Sequence, residues 1–197
     1  MATPGKANLV IYQGSTFNEI LRWESSTKIY KPITAITQAA PINITAVGHN
    51  IPEGWRVRVT SVNGMKEINH AADVYSNATV KTVDIIELNN INSLGYAAYT
   101  TGGVIEYNSP VDLTGYTARM QVRAKLADTT TLLEITTANS GIIIDNTLKT
   151  IALNVSATDT AALTWTTGVY SLELVSALGV VSTLLTGNIT VKQEITR

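Results

Sequence analysis

Two histidines, His49 and His70, are the first places to look for acid–base or metal chemistry in this 197-residue chain. Either use requires carboxylates or thiolates around the ring, and neither residue has His-x-x-x-His spacing. His49 stands in the turn cluster Gly48-His-Asn-Ile-Pro-Glu-Gly54 and His70 in a polar loop near Asp73, so a turn or solvent role is expected for both. Serine, histidine and aspartate all occur, which leaves a nucleophilic triad open by composition. There is no Gly-x-Ser-x-Gly elbow, however, and no Gly-x-x-x-x-Gly-Lys-Ser/Thr loop to cradle phosphate. Cysteine is absent, which removes disulfides, thiolate metal sites and cysteine nucleophiles. Asp128 and the pair Asp145-Asn146 carry the oxygens a calcium ion wants, but such an ion takes about six or more of them. No Asp-x-Asp-x-Asp loop is present, so these residues read as turn formers. Carbohydrate recognition would use exposed aromatic rings. Trp23, Trp55 and Trp165 are candidates, with burial in a core the stronger reading for each, and Tyr96 and Tyr99 are placed near a barrel rim. No catalytic residue, metal or cofactor is expected.

Composition bounds the partners. Fourteen Lys and Arg against fifteen Asp and Glu give a net charge of −1, without the basic excess of nucleic-acid binders. Hydrophobic residues make up 45% of the chain, enough for a substantial core. The first six residues, Met-Ala-Thr-Pro-Gly-Lys, lack the apolar stretch of a signal peptide. Apolar runs such as Gly141-Ile-Ile-Ile144 are far too short to span a membrane, so no membrane partner is expected and cytoplasmic synthesis is the default.

The elements that would position these residues are strands. Threonine, isoleucine and valine are abundant, whereas lysine, glutamate and glutamine are sparse. The clearest segment is Asp112-Leu-Thr-Gly-Tyr-Thr-Ala-Arg-Met-Gln-Val-Arg123, a turn followed by strict alternation. Tyr116, Ala118, Met120 and Val122 fall on one face, and Thr117, Arg119, Gln121 and Arg123 on the other. That outward face makes Arg119 and Arg123 candidates to meet acidic neighbours. Further strands are expected at Leu9–Gln13, Phe17–Trp23, Trp55–Val59, Val80–Leu88, Val104–Tyr107, Thr147–Val155, Val169–Val175, Val180–Leu185 and Gly187–Glu194. Asn63-Gly64 is a tight-turn dipeptide. Ser156–Leu163 is the best short helix, capped by Ser156 or Thr158, with Asp159 favouring its N-terminal end. Strands recurring roughly every 8–15 residues with turn punctuation imply sandwiches or small barrels.

Two segments resemble known modules. Thr34–Tyr107 resembles the small β-barrel called the first catalytic cysteine half-domain of ubiquitin-activating enzymes, copies of which occur in phage virion proteins. The matching residues are Gly48-His49, Gly54 before Trp55–Val59, Val62-Asn-Gly-Met65, Ile68-Asn69, Glu87-Leu88, Tyr96 and Tyr99-Thr-Thr-Gly-Gly103. This resemblance implies a fold and no activity. Residues 7–31 joined with 109–197 resemble the N-terminal domain of phage upper-baseplate proteins and related tail-fibre modules. There the matching residues are Tyr12-Gln-Gly-Ser-Thr-Phe17, Trp23, the Asp112–Arg123 stretch and Gly168-Val-Tyr-Ser-Leu-Glu-Leu174. Members of that group place the Trp-bearing strand directly before a Pro-Val-Asp-Leu-Thr-Gly hairpin partner, which implies a module inserted into a hairpin.

The expected architecture is all-β: an Ig-like β-sandwich with one short helix, formed by residues 1–31 and 109–197, carrying an inserted small β-barrel of residues 32–108. The resemblances imply a non-enzymatic structural component of a tailed-phage particle at the neck, tail or baseplate. It would be made in the bacterial host cytoplasm and bound to other virion proteins and to copies of itself. The alternatives are a capsid decoration protein, or a fibre component that binds a host receptor or surface glycan through an aromatic platform at Trp55, Tyr96 or Tyr99.

Overall fold

The computed structural model describes residues 3–195. In chain order the strands are β1 (Gly5–Lys6), β2 (Leu9–Tyr12), β3 (Phe17–Leu21), β4 (Glu24–Pro32), β5 (Ala35–Ile36), β6 (Ile42–Thr45), β7 (Arg56–Asn63), β8 (Ser76–Val80) and β9 (Ile85–Leu88). They continue with β10 (Thr101–Pro110), β11 (Thr117–Arg123), β12 (Leu133–Thr136), β13 (Ile142–Asp145), β14 (Thr150–Val155), β15 (Thr167–Val175) and β16 (Val181–Lys192). One short helix, α1 (Ala157–Ala161), precedes β15, and a 3-10 turn covers Lys66–Ile68. The fold is all-β, as its residue types dictate.

The strands gather into two compact units. The first takes the chain up to Trp23 and again from Asp112, and the second is Glu24–Val111. The sequence places this division at 31/32 and 108/109, and the structure moves it. β4 forms an antiparallel ladder with β10, from Val104↔Pro32 to Pro110↔Glu24, so residues 24–31 belong with the second unit. The hairpin insertion is also corrected. β3 lies in a three-stranded sheet and β11 in a six-stranded one, so Glu24–Val111 occupies a link between sheets.

In the first unit, one sheet runs β1-β16-β15-β11-β12, with β2 beside β1 along the same edge of β16, and the other runs β13-β14-β3. β11 lies over β13 and β12 over β14, which makes a sandwich. Alternation puts Ala118, Met120 and Val122 inside from β11, Tyr170, Leu172 and Leu174 from β15, and Ile151, Leu153 and Val155 from β14. The two expected strands around Val180–Glu194 are a single strand, β16, with a register shift opposite Leu172/Glu173. The helix is shorter than its pattern. Ser156 caps it by accepting from Asp159 N at 3.1 Å, and its hydroxyl donates to Asp159 Oδ2 at 2.7 Å.

The free edge of β12 is blocked from within. The Asn139 amide donates to Glu134 O at 3.2 Å, and Asn139 Oδ1 accepts from Thr136 N at 2.8 Å. One side chain thus stands where a neighbouring strand would pair.

In the second unit the sheet order is β4-β10-β7-β8-β9-β6-β5. Its two end strands are consecutive in the chain. Ile33 N donates to Gly103 O at 3.0 Å, and Thr34 N donates to Thr45 O at 2.9 Å, so one extended segment leaves β10 and joins β6. The sheet therefore curls onto itself around Trp55, Val57, Val59, Ile42, Ile44, Ile86, Leu88, Ile105 and Tyr107.

Trp55 is the largest fully buried side chain of this core, and its indole Nε1 donates to Asn108 O at 2.9 Å. Trp55→Phe leaves that carbonyl without its donor and is expected to lower the unfolding free energy by about 1–3 kcal/mol. The loss is read as a fall in urea midpoint at an unchanged slope.

Candidate interaction surface

The outward residues of β11, β15 and β16 form a lattice in register. Arg119 stands opposite Glu173, Gln121 opposite Ser171 and then Thr186, and Arg123 opposite Val169 and then Asn188. A groove of about 520 Å³ lies over this face. The strand pleat predicted for Asp112–Arg123 is what aims both arginines here, with Ala118, Met120 and Val122 anchored below.

The two arginines are electrostatically different. Arg119 Nη2 lies 3.0 Å from Glu173 Oε2 in an exposed pair, worth little in water. Arg123 donates from Nη1 to Asp128 O at 2.9 Å and from Nη2 to Gln121 Oε1 at 3.0 Å. Both acceptors are neutral, and among the described residues no carboxylate lies within ion-pair distance of it. Its guanidinium is held by these two acceptors and makes no direct ion pair among the described residues, with the Glu134 carboxylate one hydrogen bond away through Gln121. Leu126, on the link between β11 and β12, lines the same groove and is 90% exposed.

The floor is rigid. Tyr170 is buried, its hydroxyl donates to Ala7 O at 2.9 Å, and burial together with the charge of Glu19 pushes its pKa up to about 12. It therefore stays a neutral donor. Gly187, opposite Tyr170, has no room for a side chain: a Cβ there would sit 1.8 Å from Ala7 O.

The aromatic candidates are placed differently from an exposed platform. Trp55 is entirely buried and is not a surface residue; its alternation with Arg56 puts it on the inner face of the barrel, just before β7. Tyr96 and Tyr99 are half-buried against the barrel core. The Tyr99 hydroxyl donates to the backbone, with Gly102 O at 2.9 Å and Ile33 O at 3.1 Å. Trp23 lies just beyond β3, half-buried, with its ring edge-on to Tyr116 at 6.0 Å. Trp165 is half-buried as well. None of these rings lines the arginine groove.

Neither histidine is solvated in the way a polar loop implies. His49 is buried, its Nδ1 accepts from Ile51 N at 2.9 Å, and Nε2 faces Thr82 O at 3.0 Å. His70 Nδ1 accepts from Val59 N at 3.1 Å while Nε2 meets Ser76 Oγ at 2.9 Å. A serine and a histidine do come together here, six residues apart in a pattern no motif describes. Their polarity is opposite to that of an activated nucleophile. With Nδ1 occupied as an acceptor, Nε2 carries the proton and donates to the serine, so no ring lone pair is available to take the serine proton.

The acidic turn residues spend their oxygens on neighbouring turn groups. Asp112 Oδ1 accepts from Thr114 Oγ1 at 2.9 Å and from Asn146 Nδ2 at 2.8 Å; these bonds, with Lys149 nearby, hold its carboxyl below the usual range. Asn146 Oδ1 in turn accepts from Leu113 N at 2.8 Å. This clamp is the physical content of the Asp-Leu-Thr-Gly motif: it fixes the entry into β11. Asp145 Oδ1 accepts from Thr147 N and Leu148 N, and Asp128 Oδ2 accepts from Lys125 N. Among the described residues there is no group of three or more His, Cys, Asp or Glu able to hold a metal ion, and no helix is long and apolar enough to cross a membrane.

No family model matches the chain, and no curated protein matches it.

Burial, reinforced by the charge of Arg58, lowers the pKa of His70. Its neutral form is favoured in the folded state, so its contribution to stability is full above the ordinary histidine value of 6.5 and is lost as pH falls below it. Protonation also places a second N–H against Val59 N. The urea midpoint is expected to decline between pH 7 and 5 more steeply in the wild type than in His70→Asn, which does not titrate there; parallel curves would refute this.

Proposed function

We propose that the chain is a non-enzymatic structural component of a tailed-phage particle, at the neck, tail or baseplate, assembled in symmetric copies with other virion proteins. The observation that carries an assembly role is the groove over β11, β15 and β16, where Arg123 is oriented by two neutral acceptors and makes no direct ion pair among the described residues. Such a face selects an acidic surface on a neighbour and steers its approach. Repetition in a ring multiplies contacts that are individually weak. The polarity of the Ser76–His70 contact agrees with a role by shape. The phage setting rests on the residues of the Asp112–Arg123 and Gly168–Leu174 stretches and on the barrel-like stretch Thr34–Tyr107.

Localisation of the protein in purified particles by cryo-electron microscopy tests the setting. Density with ring symmetry at the neck, tail or baseplate supports it, density over the capsid lattice reassigns the chain to decoration, and absence from particles refutes both. The role of the groove is tested with Arg123→Glu. Its incorporation into particles is expected to fall about tenfold or more, with the melting temperature close to that of the wild type. Wild-type incorporation refutes the groove as the contact.

A further inference from the structure

β13 (Ile142–Asp145) is an end strand of the three-stranded sheet, and three of its four residues are isoleucine. One of its edges is fully used. Asn154 N donates to Gly141 O at 2.8 Å, and the ladder continues in step, so Ile143 and Asp145 exchange their backbone bonds with β14. The N–H and C=O groups of Ile142 and Ile144 therefore point the other way, and neither N–H has an acceptor among the described residues. Ile143 turns its side chain outward and is 54% exposed, Ile144 is half-buried, and Ile142 lies in the core.

Other end strands are protected against pairing. β12 has the Asn139 amide across its edge. β3 holds Glu19 opposite Leu153, at an inward-facing position. β4 carries Lys28 and Lys31, and its ladder with β10 shifts register between Asn108 and Pro110. Inward charges, lysines and irregular register keep an edge from accepting a second chain. β13 has none of them. Its register is continuous, no lysine or proline interrupts it, and its one charged residue, Asp145, stands at its end.

We propose that β13 pairs antiparallel with β13 of a second copy of this chain, across a two-fold axis at Ile143, and joins the two three-stranded sheets into one. The isoleucine run reads the same in both directions about Ile143. An axis there sets Ile142 against the partner's Ile144 and Ile143 against the partner's Ile143, with the unpaired groups of Ile142 and Ile144 forming the new bonds. Asp145 falls opposite the partner's Gly141, so no like charges meet. Moving the axis to Ile142 or to Ile144 would set an isoleucine against Ser140 or Asn146 instead, and the apolar pattern therefore selects one register. A two-fold contact of this kind closes on itself at two copies. It uses no residue of the arginine groove and is measured on the purified protein, so its failure leaves the role of that groove untouched.

The chain has no cysteine, which makes Ile143→Cys a direct test. The axis sets the two introduced thiols in a non-hydrogen-bonded pair with Cα atoms about 4.5 Å apart, within disulfide reach. Mild oxidation is expected to link Ile143→Cys into a covalent dimer about tenfold or more faster than Ile20→Cys, a control of equal exposure on the same outer face. Sedimentation equilibrium of the wild type is expected to show a monomer–dimer equilibrium with a Kd of about 0.1–1 mM, weakened about tenfold or more by Ile143→Lys. Hydrogen exchange of the Ile142 and Ile144 amides should slow as concentration rises, while the Ile143 amide is protected throughout. Both positions are half-exposed, so the variants keep the wild-type melting temperature. Equal oxidation rates of the two cysteine variants, or a wild type that is monomeric at about 2 mM, overturns the proposal. Protection of Ile142 and Ile144 only within assembled particles also overturns it, and assigns the edge to a strand of another protein.

Discussion

Two backbone hydrogen bonds made by adjacent residues decide the form of the second unit. Ile33 N reaches Gly103 O and Thr34 N reaches Thr45 O, so one continuous segment, running from β4 into β5, serves both ends of one sheet. An open sheet leaves rows of N–H and C=O groups that water or another chain must satisfy, and closure removes them. The approach at Gly103 depends on glycine: its φ is +93°, and a Cβ there would lie 2.6 Å from Val62 Cγ2 and 3.2 Å from Ile33 Cδ1. With the ends joined, Trp55 can be buried completely, and the outer surface of the barrel is freed for polar residues.

Charge is handled differently in the two units. On the barrel, Glu106 is buried between Lys28 and Arg58, with Arg58 Nη1 3.7 Å from its Oε2, and Glu24 is locked to Arg56. Lys28 and Arg58 share Glu106, and Arg56 holds Glu24, across β4, β10 and β7, in the cross-strand positions where opposite charges are favourable. On the sandwich, Arg123 has hydrogen bonds without a counter-charge. Residues of the same kind therefore hold the barrel together in one place and face outward in the other.

How much was legible depends on whether burial followed the strand period. β11 could be read directly because Ala118, Met120 and Val122 are all buried and Arg119 and Arg123 are not. β4 was missed because its sequence, Glu-Ser-Ser-Thr-Lys-Ile-Tyr-Lys-Pro, buries no residue completely: it lies on the barrel with only Ile29 packed against the core, so no apolar alternation exists to be seen. That is also why the boundary between the units fell eight residues late. Among the site residues, Arg119 and Arg123 were visible from alternation, but the absence of a carboxylate at Arg123 depends on folded distances. The polarity of the Ser76–His70 contact comes from a Val59 amide that no local pattern links to His70.

The ends of the second unit meet: Glu24 is paired with Pro110 across one ladder, and within the first unit the Trp23 ring touches Tyr116. For the first unit, Glu24–Val111 is thus a long excursion in sequence and a short one in space. Closing that excursion as a disordered coil costs about 3 kcal/mol more than closing a tight link. A barrel already formed removes most of that penalty, because it presents its two ends side by side. The kinetic order favoured by the topology is therefore barrel before sandwich, with β3 and β11 docking their sheets once the intervening chain has collapsed to the width of a single strand pair.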